Sequence, residues 1–525
     1  MSAPNKSRRP PLLSLQWRKD FTTRQTTLYH GQDNRLRVPA GGAVIDEFFG
    51  SLNSGLAPPR RHELLRVFLE QTGAKGSFQD IIGRQPQAPH RQVLAMIDDR
   101  CDPWLRITGI PETAGFVPVR QWGSEDYLRR PPEGLYPRIF GVDAQGLYKH
   151  LNQNRVGRAE RQIIYLVDLT PIMGLALVAN VNYMHIQEVR SFLSRLETTT
   201  NNHVHALGFT LEFHLPHYVL REDNISLHDS RRLRKHRIFR LSGPEAIYEA
   251  QLSLIVFGAD EFFWTAYFCE DVYFRATNPI SEYLQDKLDG PSAGLRMSRF
   301  PIWDPRYYFL YVLAIRMRQI TMEWAVLVKI ITGQLDQHDD LFLEDEPSLR
   351  KTKEYTWILG TLRRLRNLLA RVIATLVSFD DNNAVYFDLD SEGLLFDQFR
   401  DCFDQVRQYT AELATVRMVL EQHIEMLEKM SDVLVNASSL SESITATRQG
   451  NNIRLLTYIS IIYLPVTLAT GIFGMNQVDE RSAWWKYWLC IICLTCLTIA
   501  VAVGLQLGLP RWKRRQGRQS RAEIT

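Results

Sequence analysis

Cysteine is scarce in this chain: there are six among 525 residues, and only Cys490, Cys493 and Cys496 lie close together. A secreted fold stapled by disulfides is therefore excluded, and most of the chain suits a reducing compartment. The spacing of three puts those cysteines loosely along one side of a helix, where small apolar filler is preferred to a metal centre. Excess charge is scarce too. The formal net charge is +4, and no stripe of Lys and Arg interleaved with aromatics runs through the chain, so nucleic acid is not an expected partner. Phosphate-cradling glycine loops, zinc-binding helices and nucleophile elbows are missing as well. An enzyme is not expected.

The N-terminus shows no secretory signal. Residues 1–42 read as a disordered basic tail, with Lys6, Arg8, Arg9, Arg18, Lys19, Arg24, Arg35 and Arg37 against Asp20 and Asp33. The same composition would serve a mitochondrial presequence, although Pro4, Pro10 and Pro11 interrupt the helix it would need.

What the chain does have is two long uncharged runs near its end. Leu455–Val478 and Tyr487–Pro510 each hold 24 residues without a charge. Read as helices over 455–473 and 487–509, they span roughly 28 and 34 Å, against a hydrocarbon core of about 30 Å. Trp484, Trp485, Tyr487 and Trp488 gather where an interfacial aromatic belt belongs. The run Leu169–Gln187 is uncharged as well, but Pro171, Asn180, Asn182, His185 and Gln187 leave only a short apolar middle. A strand, a loop and an amphipathic helix suit it better than a third span.

Charge gives the hairpin a direction. Arg511, Lys513, Arg514, Arg515, Arg518 and Arg521 follow the second span, whereas the connection 474–486 has only Arg481 and Lys486. The positive-inside rule then puts both termini on the cytoplasmic side, with the basic tail 510–525 there. The expected location is the plasma membrane, with the mitochondrial inner membrane as the alternative. The lipid bilayer is thus the first partner.

Upstream, residues 43–300 carry strand-like runs at Ile163–Leu169, Gly208–Leu215, Ile238–Leu241, Gln251–Phe257 and Phe262–Cys269. A hairpin is expected around Gly258-Ala259-Asp260-Glu261, and a helix at Ile186–Leu196. The expectation is an α+β cytosolic domain. Residues 301–394 turn helical, at Tyr307–Thr332 and Leu349–Phe379. A long stalk helix, 395–454, follows and continues into the first span. Its stripe runs through Leu395, Phe399, Cys402, Val406, Tyr409, Leu413, Val416, Leu420, His423, Leu427, Met430, Leu434 and Ala437 at spacings of four and three. Such a coiled-coil-like pattern packs along other helices, in an oligomer or on the preceding pair. His423 within it reads as structural rather than a ligand.

Two helices from one chain cannot enclose a pore, so a conducting form needs several copies around an axis. Ile453, Leu456, Ser460, Leu464, Thr467 and Gly471 recur at spacings of three and four on one face of the first span. Ser460, Thr467 and Gly471 could touch a hydrated ion there, while Ile453, Leu456 and Leu464 would form constrictions that gate by dewetting. Ordinary packing of helices through small residues is the alternative.

Tyr463-Leu464-Pro465-Val466-Thr467-Leu468-Ala469-Thr470-Gly471-Ile472-Phe473-Gly474-Met475-Asn476 resembles the CorA-type magnesium transporter superfamily, whose first span ends in an aromatic-Gly-Met-Asn signature. Specific similarity covers about residues 445–515 and architectural similarity about 300–525; the soluble part is loosely similar to fungal CorA-like proteins. The resemblance implies a funnel-shaped homopentamer with the first span lining the pore. Gly474, Met475 and Asn476 would form its selectivity filter, Asn476 presenting neutral oxygens to a hydrated Mg²⁺ that is slow to lose water. Thr467 and Gly471 match pore-facing positions and Leu456 an apolar gate.

Departures from the pattern bear on the ion. The usual acidic Met-Pro-Glu-type loop is Gln477-Val478-Asp479-Glu480 here, with Arg481 next; Asp479 and Glu480 could still gather cations. Asn451-Asn452 after Gly450 stands where relatives carry an asparagine, and Leu464 replaces a common methionine. A regulatory site for internal Mg²⁺ is implied by the family. Asp336, Asp339, Asp340, Glu344 and Asp345 are its candidates, with Asp380, Asp381, Asp388 and Asp390 competing. The expected function is a divalent cation channel, Mg²⁺ foremost, with Mg²⁺ as cargo and regulator and no resident cofactor. The alternatives are a non-conducting membrane-anchored scaffold, and a zinc or other divalent transporter of the same superfamily.

Overall fold

The computed structural model describes residues 17–23, 44–50, 60–71, 93–100, 138–152, 160–182, 185–195, 200–205, 208–222, 227–238, 245–275, 277–338, 350–474, 485–486, 488–500 and 503. By contacts the chain divides into two units, Met1–Phe342 with Lys351–Lys429, and Leu343–Arg350 with Met430–Thr525.

The first unit is built on an eight-stranded sheet. Its strands are β1 (Ala95–Arg100), β2 (Arg138–Val142), β3 (Arg161–Val167), β4 (Thr200–His205), β5 (Gly208–Glu222), β6 (His236–Ile238), β7 (Glu245–Gly258) and β8 (Trp264–Glu270). The order is β2-β1-β3-β8-β7-β5-β4, with β6 added on β7. Among the described strands, β3 and β8 run parallel and the other pairs are antiparallel. β3 is buried at every residue, the pattern of a strand covered on both faces.

One cover consists of the short helices α1 (Val44–Gly50), α2 (Arg60–Glu70), α3 (Ala144–Asn152), α4 (Pro171–Val178) and α5 (Ile186–Ser194). They pack on Ile164, Leu166, Ile255 and Phe257 of the sheet. The opposite cover comes from α7 (Pro305–His338), which follows the short α6 (Ile280–Gln285). Phe309 lies 5.7 Å from Phe213, and Arg316 bonds Glu270 at 2.9 Å beneath the sheet.

The uncharged run after Leu169 is a core element. Thr170 caps α4 by accepting the Met173 N–H, Pro171 begins the helix, and Met173 to Val178 are all buried. A loop was expected there; the cap and the N1 proline instead start a helix apolar on every side, as interior helices are. The expected hairpin is present, with β7 and β8 paired in antiparallel register through Gly258 and Trp264. Within 1–42, read as a disordered tail, Trp17–Thr23 is ordered: Phe21 is fully buried, and the Trp17 indole donates to Glu261 at 2.8 Å. Burying two aromatic rings outweighs the polar character of the flanking residues.

Two long helices follow, α8 (Arg350–Asn383) and α9 (Leu394–Gly474). The turn between them needs left-handed backbone at Asp388 and Gly393. Phe379, Phe387, Phe399 and Phe403 close it, with Phe379 and Phe403 stacked 5.6 Å apart and Phe387 5.7 Å from Phe399. Along α9, Phe399, Cys402, Val406, Leu413, Leu420 and Leu427 are buried within the first unit. The heptad stripe there is covered by helices of the same chain: Arg407 pairs with Asp380 of α8, and Arg363 with Glu428. The residues between charged positions thus follow the pattern read from spacing.

Candidate ion pathway

In the second unit, α9 is the one described helix long and apolar enough to cross a membrane, by length and composition. Only 12% of its most apolar 18-residue window is buried. A shorter apolar helix, α10 (Trp488–Ala500), covers the described part of the expected second span.

Among the described side chains of the α9 span, burial is confined to one side. Pro465 and Ala469 are buried and Ile461 half-buried, a row with a spacing of four. On α10 the half-buried residues Cys490, Ile491, Leu494, Thr495 and Thr498 likewise share one face. Cys493 and Cys496 are exposed, so the three cysteines do not share one environment.

The sequence-read face lies elsewhere on α9. At about 100° per residue, Ile453, Leu456, Ser460, Leu464, Thr467 and Gly471 cluster within a band centred about 140° from the covered row. All six are exposed, Ile453 at 63% and Leu456 and Leu464 each at 66%. The Ser460 hydroxyl donates to the Leu456 carbonyl at 2.9 Å, and Thr467 to the Tyr463 carbonyl at 2.7 Å. Each hydroxyl has one proton, now committed to its own helix. What these side chains offer outward is therefore oxygen lone pairs, the polarity a cation requires. Pro465, inside the helix, has no N–H to give the Ile461 carbonyl and leaves a further acceptor on the span.

Gly474 is the last residue of α9. Met475, Asn476, Asp479 and Glu480 lie outside the described residues, as do Asp339, Asp340, Glu344 and Asp345. Asp336 is exposed near the end of α7. Among the competing acids, Asp380 is held by Arg407 through contacts of 2.8 to 3.1 Å, and Asp388 accepts the Ser391 hydroxyl at 2.5 Å. Among the described residues, no three His, Cys, Asp or Glu side chains are grouped to hold a metal. His423 sits 2.7 Å from the Thr332 hydroxyl, and burial lowers its pKa, with Asp336 acting weakly the other way.

The first unit contains polar residues that the sequence did not single out. Arg195 pairs with Glu212 at 2.5 Å. Burial nonetheless pushes the Glu212 carboxyl up to about 7, with Arg195 opposing and Glu188 adding to the rise. Burial pushes His214 down to about 3, helped by Arg195 and Arg234. The alternation of β5 hints at both residues, but nothing local reveals their partners.

Residues 351–509 match the protein family described as "CorA-like Mg2+ transporter protein". Over these residues, under a third of the chain, it is similar to that family. The matched segment takes in α8, α9 and α10, and includes the Gly474-Met475-Asn476 triplet. No curated protein sequence matches the chain. Among solved structures, full-length CmaX is 17% identical, covering 70% of this chain and 94% of that one at a TM-score of 0.34. The CorA magnesium transporter from Methanocaldococcus jannaschii is 12% identical, with 78% and 97% covered and a TM-score of 0.32. The cytoplasmic domain of ZntB from Vibrio parahaemolyticus is 12% identical, with 58% and 95% covered and a TM-score of 0.32. Scores this low transfer no residue role to the CorA-like segment.

Proposed function

We propose that this chain is a divalent cation channel, with Mg²⁺ its ion, assembled as a homopentamer around the α9 span. The observation that carries the reading is the uncovered face of α9. It sets Ser460 and Thr467, both with outward-facing acceptor oxygens, on the line that ends at Gly474 of the Gly-Met-Asn triplet, within a CorA-like segment. One hairpin cannot surround an ion, so the face must be completed by copies of itself.

The membrane segments are 455–473 and 487–509, with both termini cytoplasmic and the plasma membrane as the site. Gly474, Met475 and Asn476 form the outer filter, where neutral oxygens hold the hydrated ion, and Asp479 and Glu480 gather cations nearby. Ile453, Leu456 and Leu464 form the dry constrictions. No covalent chemistry is needed, because two charges moving inward gain roughly 4.6 kcal/mol per 100 mV. Internal Mg²⁺ on Asp336, Asp339, Asp340, Glu344 and Asp345 biases the closed population.

The test is growth of a Mg²⁺-transport-deficient host at low Mg²⁺. Rescue by the wild type and loss of rescue with Asn476→Ala are expected. A wild type that inserts but never rescues would leave the membrane-anchored scaffold. Zn²⁺ uptake that Mg²⁺ fails to compete away would move the assignment to zinc.

A further inference from the structure

A cavity of about 250 Å³ opens on the first unit between α2, α5, the turn Arg231–Arg234 and the floor formed by β7 and β8. Its walls differ in kind. Leu64, Val67 and Phe68 of α2 and Phe192 of α5 make one side. Leu64 and Val67 are 50% and 58% exposed, an arrangement that leaves apolar surface in water unless something covers it. The facing side is polar, with Arg231, Arg232, Arg234, Gln251, Ser253 and the carboxylate of Asp271.

Asp271 takes up part of the guanidinium donors in that wall and leaves others over. Arg231 is spent on Asp229 at 2.7 Å and Asp271 at 2.8 Å. Arg234 gives its Nε to Asp271 at 2.7 Å and its Nη2 to Gln251 at 2.9 Å, which leaves Nη1 without a partner among the described residues. Arg232 makes no ion pair among the described residues, and it holds left-handed backbone at φ 59°, a strained conformation for a long side chain. A guanidinium has five N–H donors in a planar fork, so a planar carboxylate is the acceptor that fits the surplus. At the ~30 Å³ that a water occupies, the space takes at least about eight non-hydrogen atoms.

We infer that this cavity binds a short-chain amphipathic carboxylate. The carboxylate meets Arg232 and Nη1 of Arg234, and the chain lies on Leu64, Val67 and Phe68. The site is separate from the proposed ion pathway and does not depend on conduction.

The experiment is equilibrium dialysis of labelled hexanoate (eight non-hydrogen atoms) against the full chain in lipid nanodiscs, with empty nanodiscs subtracted. Saturable binding at one site per chain is expected, weakened at least tenfold by Arg232→Glu and separately by Val67→Asp. Both changes fall on exposed side chains and leave the fold intact, which an unchanged thermal midpoint verifies. Hexan-1-ol should bind at least tenfold more weakly than hexanoate. No saturable binding, binding indifferent to both substitutions, or hexan-1-ol as good as hexanoate would each overturn the assignment.

Discussion

The Thr332 hydroxyl oxygen lies 2.7 Å from Nε2 of His423, joining α7 to α9 in the middle of the apolar stripe. The hydroxyl also donates to the Val328 carbonyl at 2.9 Å. With its one proton used there, it accepts from His423, which fixes Nε2–H as the protonated nitrogen.

That geometry predicts a measurable coupling. Thr332→Val and His423→Ala should each destabilise the solubilised chain, and a double-mutant cycle should give an interaction of about 1 kcal/mol. Because burial lowers the His423 pKa, the unfolded chain takes up its proton first as pH falls below the ordinary histidine value of 6.5. The contribution is therefore present above that value and fades on acidification. A coupling within error of zero, or a stability advantage of the wild type over His423→Ala that grows below pH 6, would overturn this account.

Gly258 closes the β7–β8 hairpin in a space with no room for a side chain. A Cβ there would stand 2.6 Å from the Phe263 carbonyl oxygen and 2.7 Å from the Trp264 Cβ. Backbone cannot step aside as a flexible side chain can. Gly258→Ala should cost about 1–3 kcal/mol and lower the thermal midpoint of the first unit. Gly333→Ala, with nothing within 4 Å of its Cβ, should leave the midpoint unchanged or raise it. Equal effects from the two would contradict the packing.

Glu212 provides a pH test. Its folded pKa is raised to about 7 from 4.5, chiefly by burial. The fold thus prefers the protonated carboxyl, a preference fully present below about 4.5 and lost as pH climbs to about 7. The wild type should lose stability relative to Glu212→Gln across that window, read as the difference between their thermal midpoints at successive pH values. A difference that is flat, or moves in favour of the wild type with rising pH, would show Arg195 controlling the carboxyl instead of burial.

The strands β3, β5, β7 and β8 were legible because they are buried apolar or alternating runs ended by turn residues. β1 was not, since Asp98, Asp99 and Arg100 fill its second half; it survives burial by pairing Asp98 with Arg100 at 2.7 Å and Asp99 with Gln162 at 2.9 Å. Arg100 lies on the same strand, but Gln162 comes from the neighbouring β3, and no local pattern announces it. Ser460, Thr467 and Gly471 could be read as one face because helix geometry enforces that spacing. The cavity was invisible for the opposite reason, its donors coming from a turn and its apolar wall from a helix more than 150 residues earlier.

The division of α9 into faces gives the sharpest functional test. Leu464 lies on the proposed pore line, 66% exposed, while Ile459, 48% exposed, lies about 140° around the helix from it. A dry constriction resists ions because water will not fill it, and one polar side chain per copy should wet it. Leu464→Asn should raise basal Mg²⁺ flux into proteoliposomes severalfold when Mg²⁺ on the cytoplasmic side holds the wild type closed. Ile459→Asn carries the same change in polarity to a different face and should leave that flux at the wild-type level. If both variants leak equally, the effect belongs to a perturbed bilayer or helix, and Leu464 is not part of the gate.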